Sequence, residues 1–324
     1  MKLHKWLGLA SAVALAFGAT QIARAADDYP TRPIQIICPS APGGGSDTLA
    51  RLIARELEKV SGKPVIVINR AGGGGLIGTR SLISAKPDGY TLYIHASTAV
   101  VGNAYLVKDA GYDPLKDMVA VAPVSRIGWA VVVGSKSPVQ SIADLTKLLK
   151  EKNGKATYAS PNNATVAATE LYSEMVGAKS VRVNFKAVTA AIADVAAGEI
   201  DFTFADIALA VPQSNAGRVR VLAVTTPERA NVDKSFPTMV EAGVPGYEYT
   251  SFFGMWAPAG TPQPIVDKLG GWMQKIIGDQ EVQQAIVRSG FDPLPGTSKD
   301  LTQLVTEDSK RWAELVKAGK LQVE

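Results

Sequence analysis

Residues 34–47 have the sequence IQIICPSAPGGGSD, in which an apolar run is followed by a glycine-rich loop and a polar pair. The run predicts a buried strand, and the polar pair opens a stretch with apolar residues at helical spacing. Similar strand signals return at Val65–Ile68 and Tyr90–Ile94, each after a helical stretch. This βαβαβ order predicts an α/β fold with a mostly parallel sheet and helices on both faces.

A second unit of the same kind begins near residue 126, after which strand and helix signals again alternate. The stretch after about residue 250 holds mainly helical signals, so it must pack on a sheet formed elsewhere in the chain. We therefore expect two α/β lobes joined by two crossover strands that form a hinge. Lobe 1 would contain residues 26–125 and 250–324, and lobe 2 would contain residues 126–249.

The composition limits the chemistry that the chain can carry. Its 324 residues are enough for two domains of roughly 150 residues each. One cysteine cannot form an internal disulfide, and two histidines leave little room for a histidine-based metal site. We therefore expect no disulfide, no metal site and no cofactor.

The first 25 residues have the pattern of a signal peptide. Lys2 and Lys5 precede an apolar run, and Ala23-Arg24-Ala25 supplies small residues around a cleavage site. The run is shorter than the roughly 20 residues of a membrane span, although an uncleaved anchor is the alternative. Cleavage after about Ala25 would lower the formal charge from +4 to +1, which gives no electrostatic reason to expect nucleic-acid binding. We expect an exported protein, most simply a periplasmic one.

Two loops with similar positions and chemistry are candidate binding sites. Each follows a strand and precedes a helix, where free backbone N–H groups and the positive end of the helix dipole attract an anion such as a carboxylate. Ligands of α/β sheets bind at the carboxyl ends of strands, so we expect one to be clamped between the loops. The alternative is turn and capping chemistry alone. The candidate residues are Ser40, Ala41, Pro42, Gly43, Gly44 and Ser46 in the first loop and Ser160, Asn162, Asn163 and Thr165 in the second.

Polar residues also follow the strand Tyr90–Ile94, and an acid ends a later predicted strand. His95, Ser97, Thr98 and Asp206 are therefore candidates to line the cleft. The alternatives are a structural histidine and a structurally paired acid. The chain lacks the motifs of a serine-hydrolase elbow, a P-loop and a zinc protease, so we predict no catalytic residues.

Gly73, Gly75 and Gly78 fit the G-x-G-x-x-G pattern of dinucleotide-binding loops. The fit is weak because a run of four glycines meets the pattern by composition. In addition, no acid that could bind a ribose ends the next strand. A glycine-rich turn is therefore favoured, and an exported nicotinamide-dependent oxidoreductase is the alternative function.

Several short motifs occur in a specific order along the chain. They are Tyr29–Ile34, Pro42–Asp47, Lys63–Val65 running into Asn69–Gly72, Lys86–Leu92, Tyr112–Asp117, Phe236–Thr238 with Glu241–Gly243, and Ala257–Pro262. With these motifs the chain resembles, over residues 29–324, the substrate-binding proteins of tripartite tricarboxylate transporters, the Bug or TctC family. The chain departs from the family pattern at three places. Phe185-Lys186-Ala187 stands where Tyr-Lys-Gly is common, and Ala205-Asp206 stands where the acid commonly comes one position earlier. His95 is not a usual family residue at its position.

The resemblance implies a two-lobed periplasmic binding protein fold and a function without catalysis. Such a protein closes on a small carboxylate and delivers it to membrane permease subunits, and we expect it to be a monomer. The family holds its carboxylate largely through backbone N–H groups, hydroxyls and water, here at Ser40–Ser46 and Ser160–Thr165. Two opposed anion sites would suit a dicarboxylate, either an aromatic one such as a phthalate isomer or an aliphatic di- or tricarboxylate. A sensor component that presents its ligand to a membrane kinase is the alternative role.

Overall fold

The computed structural model describes residues 28–43, 45–185 and 187–319. The predicted signal peptide and Gly44 therefore lie outside the described residues. Within the described part of the chain, no helix is both long enough and apolar enough to cross a membrane.

Strands and helices alternate along most of the chain, as the sequence predicts. The first part contains β1 (Ile34–Cys38), α1 (Gly45–Ser61), β2 (Val65–Asn69), α2 (Leu76–Ile83), β3 (Thr91–Ala96), α3 (Ser97–Val100), α4 (Gly102–Leu106) and β4 (Met118–Gly134). The second part contains α5 (Ile142–Glu151), β5 (Thr157–Ser160), α6 (Asn163–Val176), β6 (Val181–Asn184), α7 (Val188–Ala197), β7 (Phe202–Asp206), α8 (Ile207–Asn215) and β8 (Val219–Val224). The last part contains β9 (Thr250–Pro258), α9 (Gln263–Gly278), α10 (Gln280–Arg288), β10 (Asp292–Pro293) and α11 (Ser298–Lys317).

Helix α1 illustrates how the sequence pattern sets the packing. It buries Leu49, Ile53 and Leu57, which share one face of the helix because they are spaced by about one turn. Asp47 in its first turn and Lys59 in its last turn complement the helix dipole. The apolar face packs on β1 and β2 and so closes one side of the first sheet.

The strands follow the order β2-β1-β3-β9-β4-β7-β5-β6, and β8 and β10 also pair with β4. β1 is parallel to β2 and β3, and β5 is parallel to β6 and β7. β9 lies between β3 and β4 and is antiparallel to both, while β4 is antiparallel to β7 and β8. The prediction of a mostly parallel sheet therefore holds within each half of the molecule but not at its centre.

Strand β4 connects the two halves. Residues Met118–Gly128 pair with β9, and residues 129–134 pair with β7 and β8. The chain returns from β8 to β9 through residues 225–249. The Trp129 N–H donates to the Thr225 hydroxyl at 2.8 Å, and the Thr225 N–H donates to the Trp129 carbonyl at 2.8 Å. These bonds hold the start of the returning connection against β4, and the pairing of β9 with Met118–Gly128 places the two crossover strands of the hinge side by side.

In this part of the chain, the sequence predicts a strand only at the apolar run Ala130–Val133, so the first part of β4 is not predicted. β4 begins at Met118 and contains Pro123, although proline lacks the N–H that a central strand donates. The pairing with β9 shifts register between Pro123 and Ser125. Such a bulge lets the ladder continue past the proline.

Candidate ligand-binding site

A cavity of about 450 Å³ lies between the two halves of the molecule. Its walls come from the ends of β3 and β7, the starts of α1 and α6, and the crossover parts of β4 and β9. Six of the predicted residues line it, namely Ser46, His95, Thr98, Asn162, Asn163 and Asp206. No described lining residue is a lysine or an arginine, so only neutral groups and dipoles of the described wall are available to bind an anion.

The start of α6 faces the cavity, with Asn162, Asn163 and Ala164 in the wall. Asn162 is the N-cap, and its side chain accepts a hydrogen bond of 2.9 Å from the Thr165 backbone N–H. The Thr165 hydroxyl donates to the Phe204 carbonyl at 3.1 Å, which ties the first turn of α6 to the end of β7. The N–H groups of Asn163 and Ala164 have no acceptor within the helix. They and the positive end of the helix dipole can therefore bind an anion.

Two predicted residues of this second loop lie behind the wall. Ser160 and Thr165 are both buried and do not line the cavity. The Ser160 hydroxyl donates to the Asn162 carbonyl at 3.4 Å, and Thr165 makes the capping contacts given above. Both side chains therefore position the loop, as the capping alternative proposed for it.

The first predicted loop reaches the cavity only at its end. Ser46 lies in the wall, whereas Ser40, Ala41, Pro42 and Gly43 do not. Asp47 organises this loop, because it accepts hydrogen bonds from Arg51 Nε at 2.9 Å, the Gly43 N–H at 2.9 Å and Asn69 Nδ2 at 2.8 Å. The Arg51 bond is the largest cause that lowers the pKa of Asp47 to about 2. Asp47 is therefore ionised at neutral pH and fixes the start of α1.

The end of β3 places His95 and Thr98 in the wall, while Ser97 is buried and shares a hydrogen bond of 2.9 Å with the Ser251 hydroxyl. Only 9% of His95 is exposed, and its Nδ1 has no hydrogen-bond partner among the described residues. Burial lowers the pKa of His95 to about 4, so the ring is neutral at pH 7. A neutral imidazole can donate or accept a hydrogen bond, but it does not attract an anion by charge.

Asp206 lies in the wall at the carboxyl end of β7, opposite Trp129 in the pairing with β4. The residue is half-buried, and desolvation raises the pKa of its carboxyl group to about 6. It makes no capping hydrogen bond to α8, which begins at the next residue. Within the part of the chain that the structure describes, no three histidine, cysteine, aspartate or glutamate side chains come together as a metal site.

Much of the remaining wall is aromatic and was not predicted from the sequence. Trp129, Phe253, Phe291 and Trp312 contribute to it. Trp129 packs against Tyr249 with ring centroids 4.9 Å apart, and Phe253 packs against Phe291 at 5.2 Å. The sequence places Phe253 close to Phe252 and Trp256, a spacing that favours core residues over a stacking platform for a ligand. For Trp129 on β4 and Phe253 on β9, the usable signal was the hinge prediction, because aromatic residues on two crossover strands lie at the floor of the cleft between the lobes.

The glycine run that fits the dinucleotide pattern forms a tight turn before α2. Gly73–Gly75 all have positive φ angles, between 55° and 101°. Gly74 lines the cavity, and its carbonyl accepts a hydrogen bond of 3.0 Å from Asn103 Nδ2. A Cβ on Gly78 would lie 2.5 Å from the Pro39 Cβ. Backbone conformation and close packing therefore account for these glycines, as the turn interpretation proposed.

Comparison with known proteins gives one family for the chain. The model of the tripartite tricarboxylate transporter family receptor matches residues 49–321. A UPF0065 protein of the tcbD-tcbE intergenic region in Pseudomonas sp. (strain P51) is 31% identical over 308 residues. That match covers 94% of this chain and 91% of the relative.

Two similar solved structures extend the likeness to the fold. The periplasmic binding protein BugD is 29% identical, with a TM-score of 0.74 over 91% of this chain and 100% of that chain. The R. palustris protein Rpa4515, solved with adipate, is 32% identical, with a TM-score of 0.77 over 90% of this chain and 98% of that chain. These structures confirm the predicted α/β fold of a two-lobed periplasmic binding protein. The chain belongs to the tripartite tricarboxylate transporter receptor family.

Proposed function

We propose that this chain captures a small carboxylate between its two lobes and delivers it to the membrane permease subunits of a tripartite tricarboxylate-type transporter. Membership of the receptor family supports the transport role. The observation that supports a carboxylate is the start of α6, where Asn163 and Ala164 lie in the wall of a cavity that no described lysine or arginine lines.

The carboxylate would lie against the first turn of α6. The two N–H groups and the helix dipole would supply charge-assisted hydrogen bonds, and the hydroxyls of Ser46 and Thr98 would approach from the opposite wall. Closure of the lobes about the crossover strands removes water, which strengthens each of these bonds. Ligand binding thereby shifts the protein from an open to a closed form that the permease can recognise.

We also propose binding without catalysis, in the periplasm and as a monomer, after removal of residues 1–25. The receptor family supports both the location and the absence of chemistry. The contacts of His95 agree with this proposal, because the neighbouring Ser97 hydroxyl pairs with Ser251 and the His95 Nδ1 has no partner among the described residues.

The walls of the cavity favour a ligand with an apolar body. Trp129, Phe253, Phe291 and Trp312 offer ring faces and edges to such a body. An aromatic dicarboxylate such as a phthalate isomer therefore stays a candidate ligand. Aliphatic di- and tricarboxylates are the other candidates, and the adipate in the related R. palustris structure supports them.

Thermal unfolding and calorimetry with a panel of carboxylates test the proposal. At a ligand concentration of about 100 times Kd, a binding acid should stabilise the protein by about 2.7 kcal/mol and raise its Tm measurably. Ser46→Leu should abolish binding, and Thr48→Leu on an exposed position of the same helix should not. If no aliphatic or aromatic acid changes the Tm, the proposal is wrong.

A further inference from the structure

The cavity wall places groups of opposite polarity side by side in one lobe. β5 and β7 are adjacent parallel strands, so their carboxyl ends lie at the same edge of the sheet. Asn162 and Asn163 follow β5 at this edge, and Asp206 ends β7. The bond from Thr165 to the Phe204 carbonyl keeps the first turn of α6 against the end of β7. An anion-binding helix start and a carboxylate are therefore neighbours in the wall.

The carboxylate of Asp206 has no hydrogen-bond or ion-pair partner among the described residues. The structure shows neither an ion pair nor a hydrogen bond to it from a described residue, and desolvation alone accounts for its raised pKa. The charged groups on the elements packed against β7 are Arg126 on β4, Glu170 and Glu174 on α6 and Asp194 on α7, and Tyr158 on β5 and Tyr172 on α6 are also titratable. Arg220 lies on β8, on the other side of β4, and His95 lies in the cavity wall. Arg220 donates to the carbonyls of Ser135, Ser137 and Val139, and His95 is neutral.

This arrangement restricts which carboxylates fit the wall. A ligand carboxylate bound at the start of α6 would lie close to Asp206. A second carboxylate on the neighbouring carbon of the ligand would be repelled by the negative charge of Asp206, and partial desolvation in the cavity would strengthen this repulsion. A hydroxyl or amino group on the carbon next to the carboxylate would instead donate a hydrogen bond to Asp206. Such a group would supply the hydrogen bond that Asp206 receives from no described residue.

We propose that Asp206 is the specificity-determining residue of this site and selects 2-hydroxy or 2-amino carboxylic acids with an apolar body. The inference rests on the proposed function, because it assumes that a carboxylate occupies the start of α6. It deepens that function by naming the group next to the carboxylate. The aromatic wall of Trp129, Phe253, Phe291 and Trp312 would contact the apolar body.

The test compares acids that differ in one substituent. Mandelate, phenylglycine, phenylacetate and phenylmalonate share a phenyl group and one carboxylate, and they carry next to it a hydroxyl, an ammonium, a hydrogen and a second carboxylate. Lactate, alanine, propionate and methylmalonate form the matching aliphatic series. We expect calorimetry to show that the hydroxy or amino acid of a series binds about tenfold or more tightly than the unsubstituted acid, because only the former satisfies Asp206.

Asp206→Asn supplies the matched variant, and Asp194→Asn, on α7 and outside the cavity wall, removes the same charge as a control. We expect Asp206→Asn to reduce the preference for the hydroxy or amino acid and to improve binding of the dicarboxylate. Asp194→Asn should change neither. In the unmodified protein, the preference should weaken as the pH falls below about 6, where Asp206 takes up a proton. This pH series needs no variant.

The outcomes separate the two proposals. If acids of either series bind but the unmodified protein shows no preference for the hydroxy or amino acid, the inference is wrong and carboxylate capture stands. The same holds if Asp206→Asn changes the affinities of all four acids of a series equally. If no acid of either series binds but adipate or a phthalate isomer does, the inference is wrong and carboxylate capture stands. If none of these carboxylates binds at any pH, the inference and the proposed function are both wrong.

Discussion

Replacing Gly290 with alanine should destabilise the protein by about 2–4 kcal/mol, because the added methyl group has no space and the backbone disfavours it. Gly290 follows α10 and lies against Ala208 at the start of α8. A Cβ at position 290 would lie 2.3 Å from the Ala208 Cβ and 2.6 Å from its Cα. One of these atoms is backbone, so a rotamer change cannot relieve the overlap.

The expected loss has two parts. Gly290 has a φ of +82°, and a left-handed backbone costs a residue with a Cβ about 1 kcal/mol. Overpacking of a tight contact adds about 1–3 kcal/mol. Gly198→Ala separates these parts, because Gly198 has a φ of +84° but nothing within 4 Å of its added Cβ. The control should therefore lose only about 1 kcal/mol.

Urea unfolding followed by circular dichroism measures both losses. The difference between Gly290→Ala and Gly198→Ala reports the contact of the tail with α8, which joins the two halves of the molecule. Carboxylate affinity should also fall in Gly290→Ala, since the next residue, Phe291, lines the cavity. Equal losses of stability for the two variants would refute the reasoning. They would mean that Gly290 and Ala208 can move apart to admit the methyl group without a loss of stability.

Three further predictions concern the site and its supports. Asn162→Ala should cost about 1 kcal/mol in urea unfolding, because Thr165 loses its capping acceptor; an unchanged urea midpoint would contradict the capping role. The pKa of Asp47 lies near 2 in the folded protein against 3.8 for a free side chain, so its stabilisation is present above about pH 4 and is lost as the pH falls towards 2. Asp47→Asn should flatten this part of the profile of Tm against pH, and an unaltered acid slope would exclude Asp47 as its source. Trp312→Ala should lower the free energy of unfolding in urea by about 3–5 kcal/mol, since only 2% of Trp312 is exposed. Trp312→Phe should lower it less. Equal losses for the two variants would contradict this prediction and show that the cavity wall collapses around the gap.

Elements with strong local patterns were predictable from the sequence. The apolar run Val219–Val224 predicts a strand and coincides with β8. The stretch from Thr165 to Val176 predicts a helix, and the helix in the structure begins at Asn163. Polar residues at strand ends also predicted part of the cavity wall, because the carboxyl ends of neighbouring parallel strands lie at the same edge of the sheet. Their contact with a ligand stays a prediction.

The missed elements lack a local signal. Helix α10 buries only Val282 and Ile286, and the polar residues around them hide its periodicity. Phe291 and Trp312 reach the cavity only because the tail of the chain packs back on the first half. No residue spacing within the tail indicates that Phe291 and Trp312 line the cavity, since tertiary packing alone determines their positions.

The position of β9 between β3 and β4 affects how the protein can be made. The ribosome produces the whole of the second half before residues 250–258 emerge. Until then, β3 and the first part of β4 each have one edge without its strand partner β9. The lobe that begins the chain is therefore the last to be completed, and its pairing across a long sequence separation makes it slow to fold. A chain that ends before Thr250 should aggregate through these unpaired edges, whereas the half between residues 129 and 224 contains its own strand partners.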